Sequence, residues 1–354
     1  MKRLLRMLAG LALATALGGC SLGYYAQSVG GHLDLMQRAR PVEQWVADPA
    51  TPAVLRERLV LAQRLRVFAS DELKLPDNAS YRRFAQLDRN AVVWNVVATP
   101  ELSLTLQTWC FPVMGCVGYR GYFQRAPADQ LAAELRAQGL DVSVYGVPAY
   151  STLGWTNWLG GDPLLSTFIR WPESELARLL FHELAHQVVY VADDTAFNES
   201  FATAVERLGL QRWLAGSGAA AQQEAAALET RRQDFRRITA QARRDLQALY
   251  LSRIAPDALR DRKAERLQQL RDEHARLKAG PWQSFTGYDA WFAQVNNAAL
   301  AVQGAYEDLV PAFEALFERQ GRDFTRFYAE VARLAALPAA ERRAALLAAS
   351  TVKP

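Results

Sequence analysis

The sequence predicts a fold of the α+β class that is mainly helical, and three observations support this. Long segments carry apolar residues three and four positions apart, which is the spacing of amphipathic helices. The stretch Ala91–Leu106 instead carries alternating and β-branched residues, which favour the strands of a small sheet. Residues 217–280 are dense in Arg, Glu and Gln with apolar residues near heptad spacing, which predicts a long antiparallel helical hairpin.

The first residues form a targeting segment. A positively charged start is followed by the apolar run Leu8–Leu17 and by Leu17-Gly18-Gly19-Cys20, which resembles a bacterial lipobox. We therefore predict a lipoprotein signal peptide at 1–19 and one mature domain at 20–354 that carries lipid on Cys20. An ordinary signal peptide with an incidental cysteine is the alternative. The charged residues at the start are Lys2, Arg3 and Arg6.

This address predicts a protein of the cell envelope that is lipid-anchored and faces the periplasm. Ser21 rather than Asp follows Cys20, which by resemblance to the sorting of enterobacterial lipoproteins favours the outer membrane. Loss of the three positive charges of the signal peptide lowers the formal charge from +4 to +1, so a basic surface that seeks partners is not expected. The run Arg231–Arg237 mixes charges in the manner of a solvated helix face. We predict the membrane as a partner through the lipid, no nucleic acid, and no protein partner that the sequence identifies.

Two cysteines remain, Cys110 and Cys116, with Pro112 and Gly115 between them. In an oxidising compartment such a pair is most simply a disulfide. A metal role is less favoured because no other Cys or His lies close in the sequence. We predict a disulfide, and a count of two free thiols in non-reduced, denatured protein would contradict it.

Helices are expected at both ends of the mature chain. Apolar spacing predicts them at Tyr24–Arg38 and Thr51–Leu73, with Pro41 between them. Further amphipathic helices around Phe313–Phe317 and Phe324–Leu334 should close the core.

The middle of the chain is expected to alternate between strands and a helix. Within Ala91–Leu106, a strand should break at Thr99-Pro100 and return through Leu102–Leu106. A helix is predicted at Pro127–Gln138, and Val142–Tyr145 should be another strand.

The residues that carry chemistry concentrate in His182-Glu183-Leu184-Ala185-His186, which has the pattern H-E-x-x-H. A proline stands near the expected helix start, and nothing breaks the helix from Glu175 to Val191. Positions four apart lie one turn above each other on a helix, so His182 and His186 present two imidazoles at the separation that one zinc ion needs. Glu183 then lies beside the metal, where a carboxylate can take a proton from the attacking water and return it to the leaving amine.

Zinc requires a third protein ligand, and the other histidines, His32 and His274, are far away in the sequence. A carboxylate is therefore favoured. A short turn and a second helix, ending near Gly209, are predicted next. Two antiparallel helices would return Glu199 over the histidine face and complete a His₂Glu site with an open fourth position. Glu206, two turns later, is the fallback ligand.

The stretch His182–Gln187 followed by Asn198–Ala202 resembles the zincin peptidases whose third ligand is a glutamate. More narrowly, it resembles the bacterial family described as predicted aminopeptidases. The resemblance implies a zincin-like catalytic unit and a zinc-dependent metallopeptidase of aminopeptidase type acting on peptides, with His182, His186 and Glu199 as ligands and Glu183 as general base. The similarity covers most of the mature chain, through Tyr119–Phe123, Gly146–Gly154, Asp162–Leu165 and Asn296–Ala298.

The sequence departs from the best-known aminopeptidases of this type at two points. It lacks the Gly-Ala-Met-Glu-Asn stretch that grips the substrate amine. The aspartate that commonly follows their third ligand is also missing, with Ala202 and Thr203 in its neighbourhood. Exopeptidase and endopeptidase action therefore both stay open.

The substrate contacts are less sharply defined by the sequence. Either Tyr119–Phe123 or Val147–Thr152 is expected to be the edge strand that binds an extended peptide by strand addition. Tyr190, Tyr306 and Asn297 are candidates for stabilising the oxyanion.

Two other functions stay open beside peptide hydrolysis. One is a catalytically silent envelope lipoprotein that acts as a binding or assembly module through the helical hairpin. The other is a zinc hydrolase that acts on a non-peptide amide.

Overall fold

A computed structural model describes residues 24, 27–111, 115–149, 160–303 and 309–351. The fold is mainly helical with small sheets, as the sequence predicts. The predicted signal peptide, Cys20 and Tyr306 lie outside the described residues.

Three helices form the N-terminal part, as the apolar spacing indicates. They are α1 (residues 27–38), α2 (Val42–Ala47) and α3 (Ala53–Asp71). Helix α3 follows Pro52 and buries Leu59, Ala62 and Leu65 on one side. This spacing of three produces the stripe by which an amphipathic helix packs on a core.

A short sheet joins the N-terminal helices to the segment before the H-E-x-x-H motif. Its strands are β1 (Arg40–Pro41), β2 (Arg83–Ala85) and β8 (Leu164–Leu165), in the order β1-β2-β8. Strand β2 pairs antiparallel with β1 and parallel with β8. Pro41 is thus part of a strand as well as a break between helices.

The larger sheet has β3 (Val93–Pro100) at its centre, between β6 (Arg120–Tyr122) and β7 (Leu140–Val147), and all its pairings are antiparallel. Helix α4 (Arg125–Ala137) covers one face and packs on Val96 and neighbouring apolar residues. The predicted helix and the predicted strand at 142–145 are therefore both present.

Side chains of the opposite face point away from α4. Asn95 lies directly across from Gly121 and Tyr145 in the register of the sheet. Because side chains alternate between faces along a strand, these three positions share one face.

The predicted return strand at Leu102–Leu106 is wrong, since this segment is irregular. Strand β6 pairs with β3 only at Trp94–Val96, so the rest of that edge has no partner strand among the described residues. The returning segment does not extend along it, and Leu104 packs on a separate hydrophobic cluster instead. A backbone hydrogen bond from the Gln107 N–H to the Ala98 carbonyl (2.8 Å) joins the returning segment to β3.

A small hairpin follows, formed by β4 (Trp109–Phe111) and β5 (Gly115–Val117). Cys110 and Cys116 lie opposite each other in it and are joined by a disulfide.

The H-E-x-x-H motif lies on α5 (Glu173–Ala185), which packs along α6 (Thr195–Ala215). Helix α5 ends at Ala185, with His186 as its C-cap, and does not continue to Val191. Side chains from other parts of the chain, Asn78, Ser80 and Asn198, contact the segment that follows. Helix α6 does not end near Gly209 but runs to Ala215. A Cβ on Gly209 would lie 2.6 Å from Leu73 Cδ1 and 2.9 Å from the Phe181 ring. This glycine therefore permits close packing of the helices and does not terminate one.

The helical hairpin consists of α7 (Ala219–Tyr250) and α8 (Pro256–Ala279). The chain turns at the predicted Ala255-Pro256, where the proline takes the first position of α8. The two helices share a second hydrophobic cluster, which includes Phe235, Ile238, Leu246, Leu267, Leu270 and Trp282.

Five helices complete the chain and contribute apolar residues to both clusters. Phe313 packs against Phe197 and Phe201 of α6. Among the described residues, none of the helices combines the length and apolarity that crossing a membrane requires. The five helices are α9 (Asp289–Ala293), α10 (Asn297–Gln303), α11 (Val310–Arg319), α12 (Phe324–Ala335) and α13 (Ala339–Thr351).

Candidate metal centre

Helix α5 separates packing residues from chemical ones. Leu176, Leu180 and Leu184, four residues apart, are fully buried in the main core. His182 and His186 lie on another face, one turn apart, with their ring centroids 4.8 Å from each other. Their Nε2 atoms are 3.2 Å apart and point to a common region.

Glu199 on α6 completes this arrangement. Its Oε2 lies 3.3 Å from His182 Nε2, and its Oε1 lies 3.7 Å from His186 Nε2. One donor atom from each of the three residues lies within 4.8 Å of the others. The structure thus brings together the three residues that the sequence predicts as metal ligands.

The donor set fits a zinc ion. Bonds of about 2.0–2.1 Å in a tetrahedral site put neighbouring donor atoms about 3.3 Å apart. The distances from His182 Nε2 to His186 Nε2 and to Glu199 Oε2 are 3.2 and 3.3 Å. Two imidazoles and one carboxylate are also the ligand types of catalytic zinc sites.

Glu206, the fallback ligand, is not a member of this group. Its Oε2 lies 3.1 Å from His182 Nδ1, on the far side of the ring from the converging donor atoms. In metal-binding histidines, a carboxylate at this position fixes the tautomer and leaves Nε2 for the metal. Glu206 therefore supplies, two turns after Glu199 on the helix, a carboxylate that the residues just after Glu199 do not provide.

The pKa values of the two histidines are shifted in opposite directions. Burial lowers the pKa of His182, but hydrogen bonds to Glu199 and Glu206 outweigh it and raise the pKa well above its usual value. Burial, together with the positive charge of His182, lowers the pKa of His186 to about 4. The two carboxylates therefore favour the protonated form of His182, and burial disfavours that of His186.

The two carboxylates that contact His182 have lowered pKa values. Burial raises the pKa of Glu206, but the bonds to His182 and Arg178 dominate and bring it to about 2. Burial also raises the pKa of Glu199, and the two histidines more than compensate. Both side chains are thus ionised at neutral pH, as metal binding and the support of a histidine require.

Glu183 is half-buried beside the histidines, and its charge contributes to the raised pKa of His182. It also faces the buried Tyr81. Burial raises the pKa of Tyr81 well above its usual value, and Glu183 and Asp162 add to the shift. The Tyr81 hydroxyl has no hydrogen-bond partner among the described residues, and its backbone φ is 64°. Sequence reasoning missed Tyr81, because only the fold brings it to Glu183.

Tyr119 and Tyr190 lie near Glu199, and Tyr145 lies near Tyr119. Burial raises the pKa of Tyr119, and the charge of Glu199 and the neighbouring Tyr145 add to it. The Tyr145 hydroxyl accepts a long hydrogen bond from Asn95 Nδ2 (3.4 Å). Tyr190 is half-exposed, and its ring centroid lies 6.5 Å from that of His186.

Of the predicted oxyanion candidates, Tyr190 lies at the site and Asn297 does not. The Asn297 amide donates to the Glu101 carbonyl (2.8 Å) and accepts from the Tyr250 hydroxyl (2.9 Å). Asn297 is fully buried at the start of α10, so its polar atoms stabilise the fold.

Two residues next to the ligands hold the connection between α5 and α6. The Gln187 side chain accepts from Asn78 Nδ2 (2.7 Å) and donates to Ser80 Oγ (3.2 Å). The Asn198 carboxamide accepts from the Val191 N–H (2.8 Å) and donates to the Val191 carbonyl (2.7 Å). These bonds draw the chain away from α5 after His186 and return it so that Glu199 faces the histidines.

The predicted substrate-binding edges differ in their surroundings. Strand β6 is an edge strand that begins next to Tyr119, so it runs up to the tyrosines beside Glu199. Further along, the Gln27 side chain occupies part of its outer edge, accepting from the Phe123 N–H (3.0 Å) and donating to the Gly121 carbonyl (3.4 Å). Val147 packs against the main core, and residues 150–152 lie outside the described part of the chain.

Comparison with known proteins identifies a family. A family model described as "Putative aminopeptidase" matches residues 23–346, which is most of the chain. No curated protein and no solved structure gives a significant match.

Proposed function

We propose, from the premise that this chain belongs to the family described as putative aminopeptidases, that it is a zinc-dependent metallopeptidase that cleaves peptides in the cell envelope. The observation that carries this proposal is the convergence of His182, His186 and Glu199 at distances that suit one zinc ion. The family description supports peptide as the substrate class.

The protein's own residues supply the proton chemistry. When bound, zinc would polarise the substrate carbonyl and lower the pKa of a water molecule. Glu183 lies next to His182 in the chain and interacts with it electrostatically. From there its carboxylate would accept the proton of the attacking water and pass it to the departing amine. Glu206 would keep the His182 ring oriented during this exchange.

The cellular address is part of the proposal. The lipobox-like sequence before Cys20 supports a lipid anchor and a periplasmic location. We expect Cys20→Ser to stop incorporation of labelled fatty acid and to release the protein from membranes. Equal labelling of wild type and variant would contradict the anchor.

The direct test is hydrolysis of peptides by the zinc-loaded full chain and by Glu183→Gln. This change keeps the size of the side chain and removes the proton acceptor, so kcat should fall by a factor of about 10²–10⁴ while zinc remains bound. Glu134→Gln, at an exposed position of α4, is the matched control and should match wild type. Unchanged peptidase activity in Glu183→Gln would overturn the proposal.

The choice of substrates decides between the modes of action. An aminopeptidase should cleave aminoacyl anilides and lose this activity when the amine is acetylated, whereas an endopeptidase should cleave blocked peptides as well. If peptide libraries stay intact, and one stable partner is captured equally by wild type and Glu183→Gln, the chain acts as a binding module.

A further inference from the structure

A continuous series of polar contacts runs from the metal centre to the helical hairpin. Glu206 Oε2 contacts His182 Nδ1 at 3.1 Å, and Glu206 Oε1 contacts Arg178 Nη1 at 2.5 Å. The other guanidinium nitrogen of Arg178, Nη2, lies 2.6 Å from Glu229 Oε2 on α7. One arginine therefore joins the carboxylate that supports His182 to a carboxylate of the hairpin.

The end of this series on the hairpin is a cluster of alternating charges. Glu229 also contacts Arg232 Nη1 (3.0 Å) and Arg236 Nη2 (2.9 Å), and Arg232 returns to Glu175 on α5 (2.5 Å). The formal charges of its three arginines and three glutamates sum to zero. The members of this charge cluster are Arg178, Arg232, Arg236, Glu175, Glu206 and Glu229.

The part of the charge cluster nearest His182 is the most strongly shielded from water. The Arg178 side chain is 9% exposed and that of Glu206 is 16% exposed, whereas that of Glu229 is 27% exposed. Charges act on each other more strongly where water is excluded. A change of charge at Glu229 is therefore transmitted through Arg178 to Glu206 with little screening.

We infer that Glu229 is a positioning residue for the metal centre, acting through Arg178 and Glu206 on the orientation and basicity of His182. This inference rests on the proposed function, because it assigns the support of a zinc ligand. It makes α7 of the helical hairpin a part of the site.

Arg178 divides its positive charge between Glu206 and Glu229. With Glu229 ionised, Arg178 neutralises two carboxylates and withdraws only part of the charge of Glu206. Without the charge of Glu229, Arg178 would pair with Glu206 alone, and the cluster would carry an excess positive charge. Both effects weaken the acceptor at His182 Nδ1, which makes Nε2 a poorer donor to a cation.

The test compares the zinc dissociation constants of the full chain and of Glu229→Gln, measured by competition with a chromophoric chelator. Direct partners of a ligand are typically worth 10- to 100-fold in affinity, so we expect about a three- to tenfold weaker constant for this more distant group. Glu265→Gln, at an exposed position of the same hairpin, is the control and should bind as wild type does. A constant for Glu229→Gln within twofold of wild type would overturn the inference.

A second variant separates positioning from a purely structural tie between α5 and α7. Glu229→Gln/Arg236→Gln removes one charge of each sign and restores the balance of the charge cluster. If Glu229 acts through charge, zinc affinity should return toward the wild-type value even though another ion pair is lost. Affinity as weak as in the single variant, or weaker, would show a structural tie and contradict positioning.

A readout on the metal-free protein keeps this test independent of the proposed function. The chain has four histidines, so the imidazole resonances of ¹⁵N-histidine-labelled protein can be assigned individually. Glu229→Gln should shift the His182 Nδ1 resonance, whereas Glu265→Gln should not. An unshifted resonance would overturn the inference, and a wild-type chain that binds no zinc would overturn the proposed function alone.

Discussion

His182 and His186 lie one turn apart on α5 but have different neighbours. The Nδ1 atom of His182 is held by Glu206, whereas Nδ1 of His186 has no hydrogen-bond partner among the described residues. Of these two imidazoles, only that of His182 therefore has a carboxylate at its Nδ1 atom within the described part of the chain. This asymmetry predicts that the site is most sensitive to changes on the His182 side.

The first prediction concerns Glu206→Gln. An amide cannot strengthen the imidazole as a carboxylate does, so zinc affinity should fall by about 10- to 100-fold but not vanish. Glu199→Ala, which removes a proposed ligand, should lose binding almost completely. The two constants are measured by chelator competition. Glu206 would be the third ligand, contrary to this account, if its substitution were the one that abolished binding.

The second prediction concerns the buried hydroxyl of Tyr81. A buried polar group without a partner costs about 1–3 kcal/mol, so Tyr81→Phe should raise the free energy of unfolding by about 1 kcal/mol. Tyr328→Phe is the matched comparison, because the Tyr328 hydroxyl is buried and donates to the Leu73 carbonyl at 2.9 Å. The free energy of unfolding of Tyr328→Phe should fall by about 1 kcal/mol. Denaturant titration measures both, and effects of the same sign would refute the assignment.

At the scale of elements, the ligand geometry depends on how closely α5 and α6 approach each other. Gly209 allows Leu73 and Phe181 to pack directly against the α6 backbone. A longer distance between the two helices would separate Glu199 from the histidines. The packing of these helices is therefore part of the site.

The third prediction tests this packing with two glycines. Gly209→Ala should destabilise the fold by about 1 kcal/mol or more, because overpacking costs about 1–3 kcal/mol and exceeds the gain in helix propensity. Gly30→Ala, on α1 with nothing within 4 Å of the added Cβ, should instead stabilise by about 0.5–1 kcal/mol. Thermal unfolding of both variants measures the difference. A stabilising Gly209→Ala would mean that the helices are less tightly packed.

The same scale shows what sequence patterns can and cannot predict. The spacing of His182 and His186 is sufficient to predict that they lie together, because a helix makes neighbours of residues four apart. Glu199 depends on the expected turn and second helix, and Glu206 stays open as a fallback until the structure places it at His182 Nδ1. The end of α5 was predicted too late, since the bonds made by Gln187 depend on distant chain segments. The spacing of apolar residues along one helix does not predict contacts with residues that are distant in the sequence.

The predicted strand at Leu102–Leu106 failed for a related reason. An apolar alternation shows that a segment can pair, but the packing of its side chains decides whether it does. Strand β6 leaves part of the β3 edge open, yet Leu104 packs on the second hydrophobic cluster, and the Gln107 N–H bonds to the Ala98 carbonyl of β3 there. Sequence patterns also do not predict the contact between Arg178 and Glu229, because it forms only where α7 packs on α5.

At the scale of the whole molecule, the proposed ligands join α5 and α6, two helices whose apolar faces form part of the main hydrophobic core. A ligand that binds only the folded state stabilises it by mass action. The fourth prediction is therefore that zinc at about 100 times its dissociation constant raises the free energy of unfolding by about 2.7 kcal/mol. The free energy of unfolding of Glu199→Ala should not rise when zinc is added. An equal rise in both proteins would place the zinc elsewhere.

The central claim of this account is one zinc ion per chain, held by His182, His186 and Glu199. Elemental analysis of the full chain, purified without added metal and then offered zinc, tests it most directly. We predict about one zinc per chain in wild type and almost none in Glu199→Ala. A wild-type chain that stays empty after zinc is offered, or a Glu199→Ala variant that retains a full equivalent, would contradict the claim.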